Sequence, residues 1–219
     1  TSGIGYILPV SGEEEEATET TPVVIFSQGS STSSNNTTSD HPWPMFGGNP
    51  QRNGRSNYNA SHYTPSSIKW EYDTEHHTVG TPIIDKNNTI YTFSNTWNTG
   101  FYYLYAFYAN GTVKWKYNTD MYVNTGSLFL LNNGSIGIVG RKGKLMIFNT
   151  EGKIIIESGF PSFIDTTPIV GEDDTIYVGS NTYEPPYENE FFCALYPNGT
   201  SKWKFPLSYK GTRSSPSID

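Results

Sequence analysis

The stretch YYLYAFYANGTVKWKY, residues 102–117, decides the fold, because FFCALYPNGTSKWKF at residues 191–205 repeats it. Each copy has an aromatic-rich run, then an Asn-Gly pair, then a Lys-Trp-Lys run. Runs of this kind on both sides of Asn-Gly are the strongest short-range signal for a β-hairpin. The sequence therefore predicts two equivalent hairpins, each with a two-residue turn in which Asn and Gly supply positive φ angles.

Other short sequence motifs in the chain recur at a similar spacing to this hairpin. A weaker copy, Gly-Lys-Ile-Ile-Ile, lies between the two at residues 152–156. Thr-Pro-Ile-Ile at residues 81–84 and Thr-Ile-Tyr at residues 89–91 also have later counterparts, at spacings of about 40 to 48 residues or a multiple of that. A period of this length with four strand-like pieces per unit is typical of β-propeller blades.

The predicted fold is therefore all-β, a propeller of four-stranded antiparallel blades with an extended N-terminal arm. The propeller occupies residues 43–219. Its blades are expected at approximately 80–117, 126–158 and 165–206, with the first strand of a fourth from residue 214. Because propellers close with about four to eight blades, we expect a longer protein or another chain to complete the ring.

The N-terminal arm, residues 1–42, has a different composition. A run of four Glu and a Ser, Thr and Asn-rich stretch cannot repay the entropy of folding alone. They bracket two short apolar pieces that are expected to add as strands, either to the same propeller or to a neighbouring subunit. The residues expected to make that attachment are Tyr6, Ile7, Leu8, Val10, Val23, Val24, Ile25 and Phe26.

Charge and composition limit the partners. The formal net charge is −7 and no basic stripe offsets it, so nucleic acid and anionic membranes are poor partners. No apolar run approaches the roughly 20 residues that cross a bilayer, so no membrane insertion is expected within this chain. The single cysteine, Cys193, allows no internal disulfide and is interpreted as a core residue.

Seven Asn-x-Ser/Thr sequons are candidate glycosylation sites. In a four-stranded blade the A–B and C–D turns lie on one side, and four sequons fall in such turns. We expect glycans on that side, although Asn-Gly-Thr is also good hairpin chemistry without any sugar. The sequons are at Asn35, Asn36, Asn59, Asn87, Asn110, Asn133 and Asn198.

The B–C and D–A loops carry the candidate ligand-binding residues on the opposite side. Aromatic side chains on loops suit sugar or protein recognition, and the alternative is that they cap the blades. The candidates are Trp97, Tyr122, Tyr183 and Tyr187.

Few residues suggest catalysis or metal binding. Glu172-Asp173-Asp174 could bind Ca²⁺ through oxygen, but an acidic hairpin turn is the favoured interpretation. His76 and His77 are adjacent and would point apart on an extended chain, so no metal is expected there. No glycine-rich phosphate loop, nucleophile elbow or paired-His zinc motif occurs in the sequence.

Residues 43–219 resemble the PQQ-repeat β-propellers, the fold of quinoprotein dehydrogenases and of bacterial outer-membrane assembly scaffolds. WPMFGGNPQRNGRS at residues 43–56 and IKWEY at residues 68–72 carry the resemblance, together with the repeated units. It implies that the outer-strand tryptophans Trp70, Trp115 and Trp203 dock between neighbouring blades.

The chain departs from that family in three respects. Ile156 replaces the tryptophan in the middle unit, so that seam is expected to be weaker. Tyr108 and Tyr196 stand where the family's docking motif has Asp, and the turn before Trp115 is one residue shorter.

We therefore expect a non-enzymatic, extracellular or cell-surface propeller that acts in adhesion, surface binding or assembly and needs no cofactor. Its partners would be protein, through self-association or other surface proteins, or glycan. The alternatives are the N-terminal part of a quinoprotein oxidoreductase that uses PQQ and Ca²⁺, and an envelope assembly scaffold.

Overall fold

A computed structural model describes most of the chain beyond the N-terminal arm. The residues it describes are 40–56, 68–74, 77–95, 100–123, 128–140, 143–159, 164, 166–180, 190–207 and 214–218. All regular secondary structure in these ranges is β-strand. None of these residues belongs to a helix long and apolar enough to cross a bilayer.

Twelve strands in the described ranges form three four-stranded sheets. Within each sheet the strands follow chain order and neighbouring strands are antiparallel. The prediction of an all-β fold with four-stranded antiparallel blades is confirmed. The strands are β1 (His77–Ile84), β2 (Ile90–Asn95), β3 (Tyr102–Phe107), β4 (Val113–Asn118), β5 (Leu128–Leu130), β6 (Ile136–Gly140), β7 (Lys144–Phe148), β8 (Ile154–Gly159), β9 (Ile169–Val170), β10 (Ile176–Gly179), β11 (Phe191–Leu195) and β12 (Ser201–Pro206).

The hairpin turns differ from the predicted type. In the β3–β4 turn the backbone N–H of Gly111 donates to Tyr108 O at 2.9 Å, and that of Tyr108 donates to Thr112 O at 2.9 Å. Gly111 has a φ of 88°, whereas Asn110 does not have a positive φ. The two-residue turn was therefore wrong, and a three-residue loop ending in a left-handed glycine takes its place. The physical reason is that Asn110 Oδ1 accepts the N–H of Thr112 at 3.0 Å, so its side chain supports a turn with one left-handed residue.

The core lies between the sheets. One apolar cluster joins the first and second blades, and a second cluster joins the second and third. Each fully buried aliphatic or aromatic side chain contributes about 1.5 to 3 kcal/mol, so these two clusters dominate the stability. The first includes Ile83, Tyr91, Phe93, Leu104, Ile136, Ile138 and Phe148, and the second includes Phe129, Leu131, Val139, Leu145, Ile147, Ile176, Val178 and Cys193.

A tryptophan closes the outer part of the first seam. The indole Nε1 of Trp115 donates to Thr150 O at 3.0 Å, in the turn between β7 and β8. A Cβ added to Gly152 in that turn would lie 2.6 Å from the indole ring. The indole therefore occupies space that only a glycine leaves open.

Trp70 repeats this arrangement on the turn of the first blade. Its Nε1 donates to Ala109 O at 3.2 Å, and a Cβ on Gly111 would lie 2.5 Å from its ring. At the seam between the second and third blades, Ile156 and Ser158 approach the corresponding Gly199 at 3.4 and 3.1 Å from its added Cβ. Both tryptophans thus dock on the blade that follows them.

We expect Trp115→Ala to lower the free energy of unfolding by about 3 to 5 kcal/mol, as large-to-small substitutions of packed residues do. Gly152→Ala is expected to cost more than the left-handed strain of about 1 to 2 kcal/mol, because its methyl group would also meet the indole. In the double variant the methyl group meets no indole, so the two costs will not add. Denaturant unfolding of the four proteins measures this coupling.

Gly100→Ala is the matched control for this cycle. Gly100 also has a positive φ, 76°, but an added Cβ would have no atom within 4 Å. Its cost should be the same with and without Trp115. Additive costs for Trp115→Ala and Gly152→Ala, or a Trp115→Ala cost below about 1 kcal/mol, would contradict the docking role.

Candidate functional site

The outer strand of the third blade carries two exposed aromatic side chains. Trp203 and Phe205 alternate along β12 and so lie on one face. Their exposed fractions are 42% and 63%. Phe192 and Tyr177 contact the Trp203 ring at centroid distances of 5.7 and 6.0 Å. These four side chains are called the β12 face below.

The charged residues of β12 lie on the other side of the strand. Lys202 Nζ pairs with Asp173 Oδ2 at 3.0 Å and donates to Thr175 Oγ1 at 3.1 Å. The hydrogen bonds from Thr175 and Lys202 lower the pKa of Asp173 to about 2. Lys204 Nζ lies 4.0 Å from the centre of the Phe191 ring. The β12 face is therefore aromatic and uncharged.

A second candidate region is the segment of residues 41–54, called the axial segment below. It runs along the innermost strands of the blades. Trp43 exchanges backbone hydrogen bonds with Ile84 of β1, at 2.8 and 3.3 Å, and Leu130 of β5 donates to Pro44 O at 2.8 Å. Met45 forms an isolated bridge with Phe129. The segment thus links the first two blades by backbone bonds.

Arg52 extends this linkage to the third blade and to residues 214–218. Its Nη2 donates to Thr167 O at 2.9 Å, just before β9, and its Nε donates to Pro216 O at 2.6 Å. The backbone N–H of Ile218 donates to Pro50 O at 3.0 Å. Residues 214–218 are therefore held beside the axial segment, although they form no regular strand, and the fourth blade stays a prediction.

His41 is buried between two turns of neighbouring blades. The N–H of Lys86 donates to His41 Nδ1 at 3.0 Å, so the proton of the neutral ring is on Nε2, which donates to Leu131 O at 3.1 Å. Burial lowers the pKa of His41 below 6.5, and nearby Lys86 acts in the same direction while Asp85 opposes it. The neutral ring is the form that fits this position.

Two carboxylates in the described turns accept hydrogen bonds that stabilise those turns. Asp85 accepts hydrogen bonds from the N–H groups of Asn87 and Thr89, at 2.8 Å each, and from the Tyr91 hydroxyl at 3.0 Å. Asp174 Oδ1 accepts the N–H of Asn132 at 2.8 Å. These contacts favour the acidic-turn interpretation of residues 172–174.

The Ca²⁺ and quinone that the family resemblance implies would need oxygen ligands for the cation. No group of three or more His, Cys, Asp or Glu side chains in the described ranges could hold a metal ion. Asp85 uses both carboxylate oxygens in the hydrogen bonds above, and Asp174 uses Oδ1. No catalytic step through such a cofactor follows from the described part of the chain.

The predicted site residues are only partly brought together. Tyr122 is half-buried and meets Tyr102 edge-to-face at 6.2 Å, the arrangement expected of a side chain that caps a blade. Burial raises the pKa of the Cys193 thiol to about 12, as suits a core residue. Several predicted residues lie outside the described ranges: Trp97, Tyr183, Tyr187, Asn35, Asn36, Asn59 and the arm residues Tyr6, Ile7, Leu8, Val10, Val23, Val24, Ile25 and Phe26.

It was not predicted from the sequence that Phe205 belongs to the β12 face, or that the axial segment contacts the blades. Phe205 had a detectable signal, because it stands two residues after Trp203 and shares its face. His41 had none, since its partners lie 45 and 90 residues away in the sequence.

Comparison with solved structures finds the same fold in larger proteins. A quinohemoprotein alcohol dehydrogenase from Pseudomonas putida matches with a TM-score of 0.58 and 16% identity, over 78% of this chain and 27% of that one. A europium-containing methanol dehydrogenase matches with a TM-score of 0.58 and 18% identity, over 78% of this chain and 32% of that one. BamB from Moraxella catarrhalis gives a TM-score of 0.49 and 16% identity, over 63% of this chain and 39% of that one.

The chain has a β-propeller fold similar to that of the two dehydrogenases. No protein-family model matches it, and no match is found among curated proteins. It spans about a third or less of the length of the two dehydrogenases. Because one propeller fold serves many functions, this likeness defines the architecture and leaves the activity to be argued from the surface.

His41 makes a testable prediction about pH. Because its pKa is lowered in the folded protein, the unfolded chain binds the extra proton first as the pH falls through 6.5. The free energy of unfolding should therefore fall between pH 7.5 and pH 5.5. His41→Asn keeps an acceptor near the Nδ1 position and cannot titrate, so its unfolding should depend less on pH. Equal pH dependence in denaturant unfolding of both proteins would contradict the role of His41.

Proposed function

We propose that this chain is a non-enzymatic propeller of the cell exterior that binds a protein partner, in surface binding or assembly. The observation that carries the proposal is the β12 face. Large aromatic side chains exposed together, without charge, are characteristic of the centre of a protein interface. Trp203 and Phe205 are the most exposed members of that face.

The two docked tryptophans indicate what kind of partner the β12 face accepts. Trp70 and Trp115 each contact a glycine in a turn and donate an indole hydrogen bond to a carbonyl two residues before that glycine. Trp203 stands at the corresponding position of the third blade. A fitting partner would therefore present a β-hairpin whose turn contains glycine and an accessible carbonyl.

A second copy of the described blades does not meet this requirement. Gly111 already contacts Trp70, Gly152 contacts Trp115, and Gly199 contacts Ser158 of its own chain. No glycine of these three turns is left for another Trp203. The proposed partner is therefore a different β-rich surface, and self-association would have to use other residues.

Site-specific photo-crosslinking in cells tests the proposal. A crosslinking phenylalanine analogue at position 205 should yield a covalent adduct with another protein, identified from the linked peptide by mass spectrometry. The same analogue at Tyr108 is the control, because Tyr108 is 50% exposed and lies on the β3–β4 turn, away from the β12 face. No adduct specific to position 205, or one that links to further residues of the same polypeptide, would overturn the proposal.

A PQQ-dependent oxidoreductase is the second candidate, favoured by the fold of the two dehydrogenases. Reconstitution of the intact protein with PQQ, with Ca²⁺ in one arm and Eu³⁺ in another, separates the two. We expect neither PQQ binding by calorimetry nor alcohol-dependent dye reduction. The assay is valid if a known quinoprotein is active under the same conditions. Turnover in either arm would replace the binding proposal with the enzymatic one.

A further inference from the structure

Four sequons lie in described turns, and all four asparagines are exposed. They differ in the residue two positions later, whose hydroxyl is the second half of the acceptor motif. Thr112 and Thr200 are exposed, whereas Thr89 and Ser135 are 4% and 6% exposed. The sequence motif is therefore the same in all four turns, but the exposure of its hydroxyl to an oligosaccharyltransferase differs.

The two exposed motifs have the same local geometry. Asn110 Oδ1 accepts from the N–H of Thr112 at 3.0 Å and from its Oγ1 at 2.7 Å. Asn198 Oδ1 accepts from Thr200 N–H at 3.0 Å and from its Oγ1 at 2.6 Å. In each turn the amide and the hydroxyl therefore lie side by side at the surface, with the amide oxygen held toward the turn.

The other two motifs are closed by their own turns. The N–H of Thr89 donates to the buried carboxylate of Asp85. The N–H of Ser135 donates to Asn133 Oδ1 at 2.8 Å, as in the two exposed motifs, so the burial of the Ser135 side chain is what distinguishes the Asn133 motif. Their side chains are buried, so a transferase could reach the hydroxyl only after the turn opened locally.

We propose that Asn110 and Asn198 are the N-glycan acceptors of the described, folded chain, and that Asn87 and Asn133 are not. The donor is an oligosaccharide linked to a polyprenyl diphosphate. A bond forms between Asn Nδ2 and the anomeric carbon, the bond from that carbon to the diphosphate oxygen breaks, and the amide loses one proton. This inference deepens the proposed role at the cell exterior and narrows the sequence-based expectation of four glycosylated turns.

Transfer in vitro tests the acceptor geometry wherever the protein resides, so its failure is distinct from a failure of the crosslinking test. The folded protein is incubated with a single-subunit oligosaccharyltransferase that accepts Asn-x-Ser/Thr and with the lipid-linked donor. Four peptides covering residues 85–91, 108–114, 131–137 and 196–202 serve as unstructured references. Glycopeptide mass spectrometry gives the rate at each site relative to its own peptide.

The relative rate at Asn87 and Asn133 should be at least about tenfold lower than at Asn110 and Asn198, since every 1.4 kcal/mol of local opening is a factor of ten. Thr112→Val should abolish transfer to Asn110 and leave Asn198 unchanged, while Thr112→Ser should preserve both. Equal relative rates at the four sites would overturn the inference, as would transfer to Asn87 or Asn133 in preference to Asn110 and Asn198. An unmodified Asn110 and Asn198 in the folded protein would overturn it as well.

Discussion

The contact between an outer-strand indole and a turn glycine of the next blade constrains the rest of the structure. Gly152 has a φ of 81°, so it supplies the left-handed residue of its turn. It is also the residue whose missing Cβ leaves room for the Trp115 ring. Because one glycine meets both demands, the turn and the outer strand cannot vary independently. At both seams that have an indole, a tryptophan is therefore paired with a turn glycine of the next unit.

The seam that has no indole is supported from the opposite end of the blades. Ile156 and Ser158 approach Gly199, and Ser158 Oγ reaches Gly199 O only at 3.5 Å. Met45 of the axial segment and Ile218 join the cluster between the second and third blades, but neither belongs to the cluster between the first and second. The axial segment therefore adds apolar contacts at the seam that lacks a tryptophan.

Features that depend on local pattern could be predicted from the sequence, and features that depend on distant contacts could not. The strands and their order follow from alternation and repeat spacing, which are written into each 40-residue unit. The prediction of a two-residue turn was wrong because the Asn110 side chain accepts a hydrogen bond from the Thr112 N–H. This local effect cannot be recognised from the Asn-Gly pair alone. The contact of Arg52 with Pro216 spans 164 residues, and no pattern near Arg52 indicates it. The exposure of Trp203 was equally hidden, since its sequence context matches that of Trp115.

Docking in chain order gives the array of blades a direction. Trp70 and Trp115 each reach forward to a glycine turn, whereas no described glycine turn follows Trp203, which is 42% exposed. A two-fold symmetric dimer pairs a surface patch with its own copy, and the four aromatic side chains that define the β12 face include no glycine turn. The same face can accept a hairpin that presents a glycine turn and a carbonyl without any change in its own geometry. The β12 face therefore fits a hairpin turn that contains glycine, whether a following blade of the same polypeptide or a separate protein supplies it.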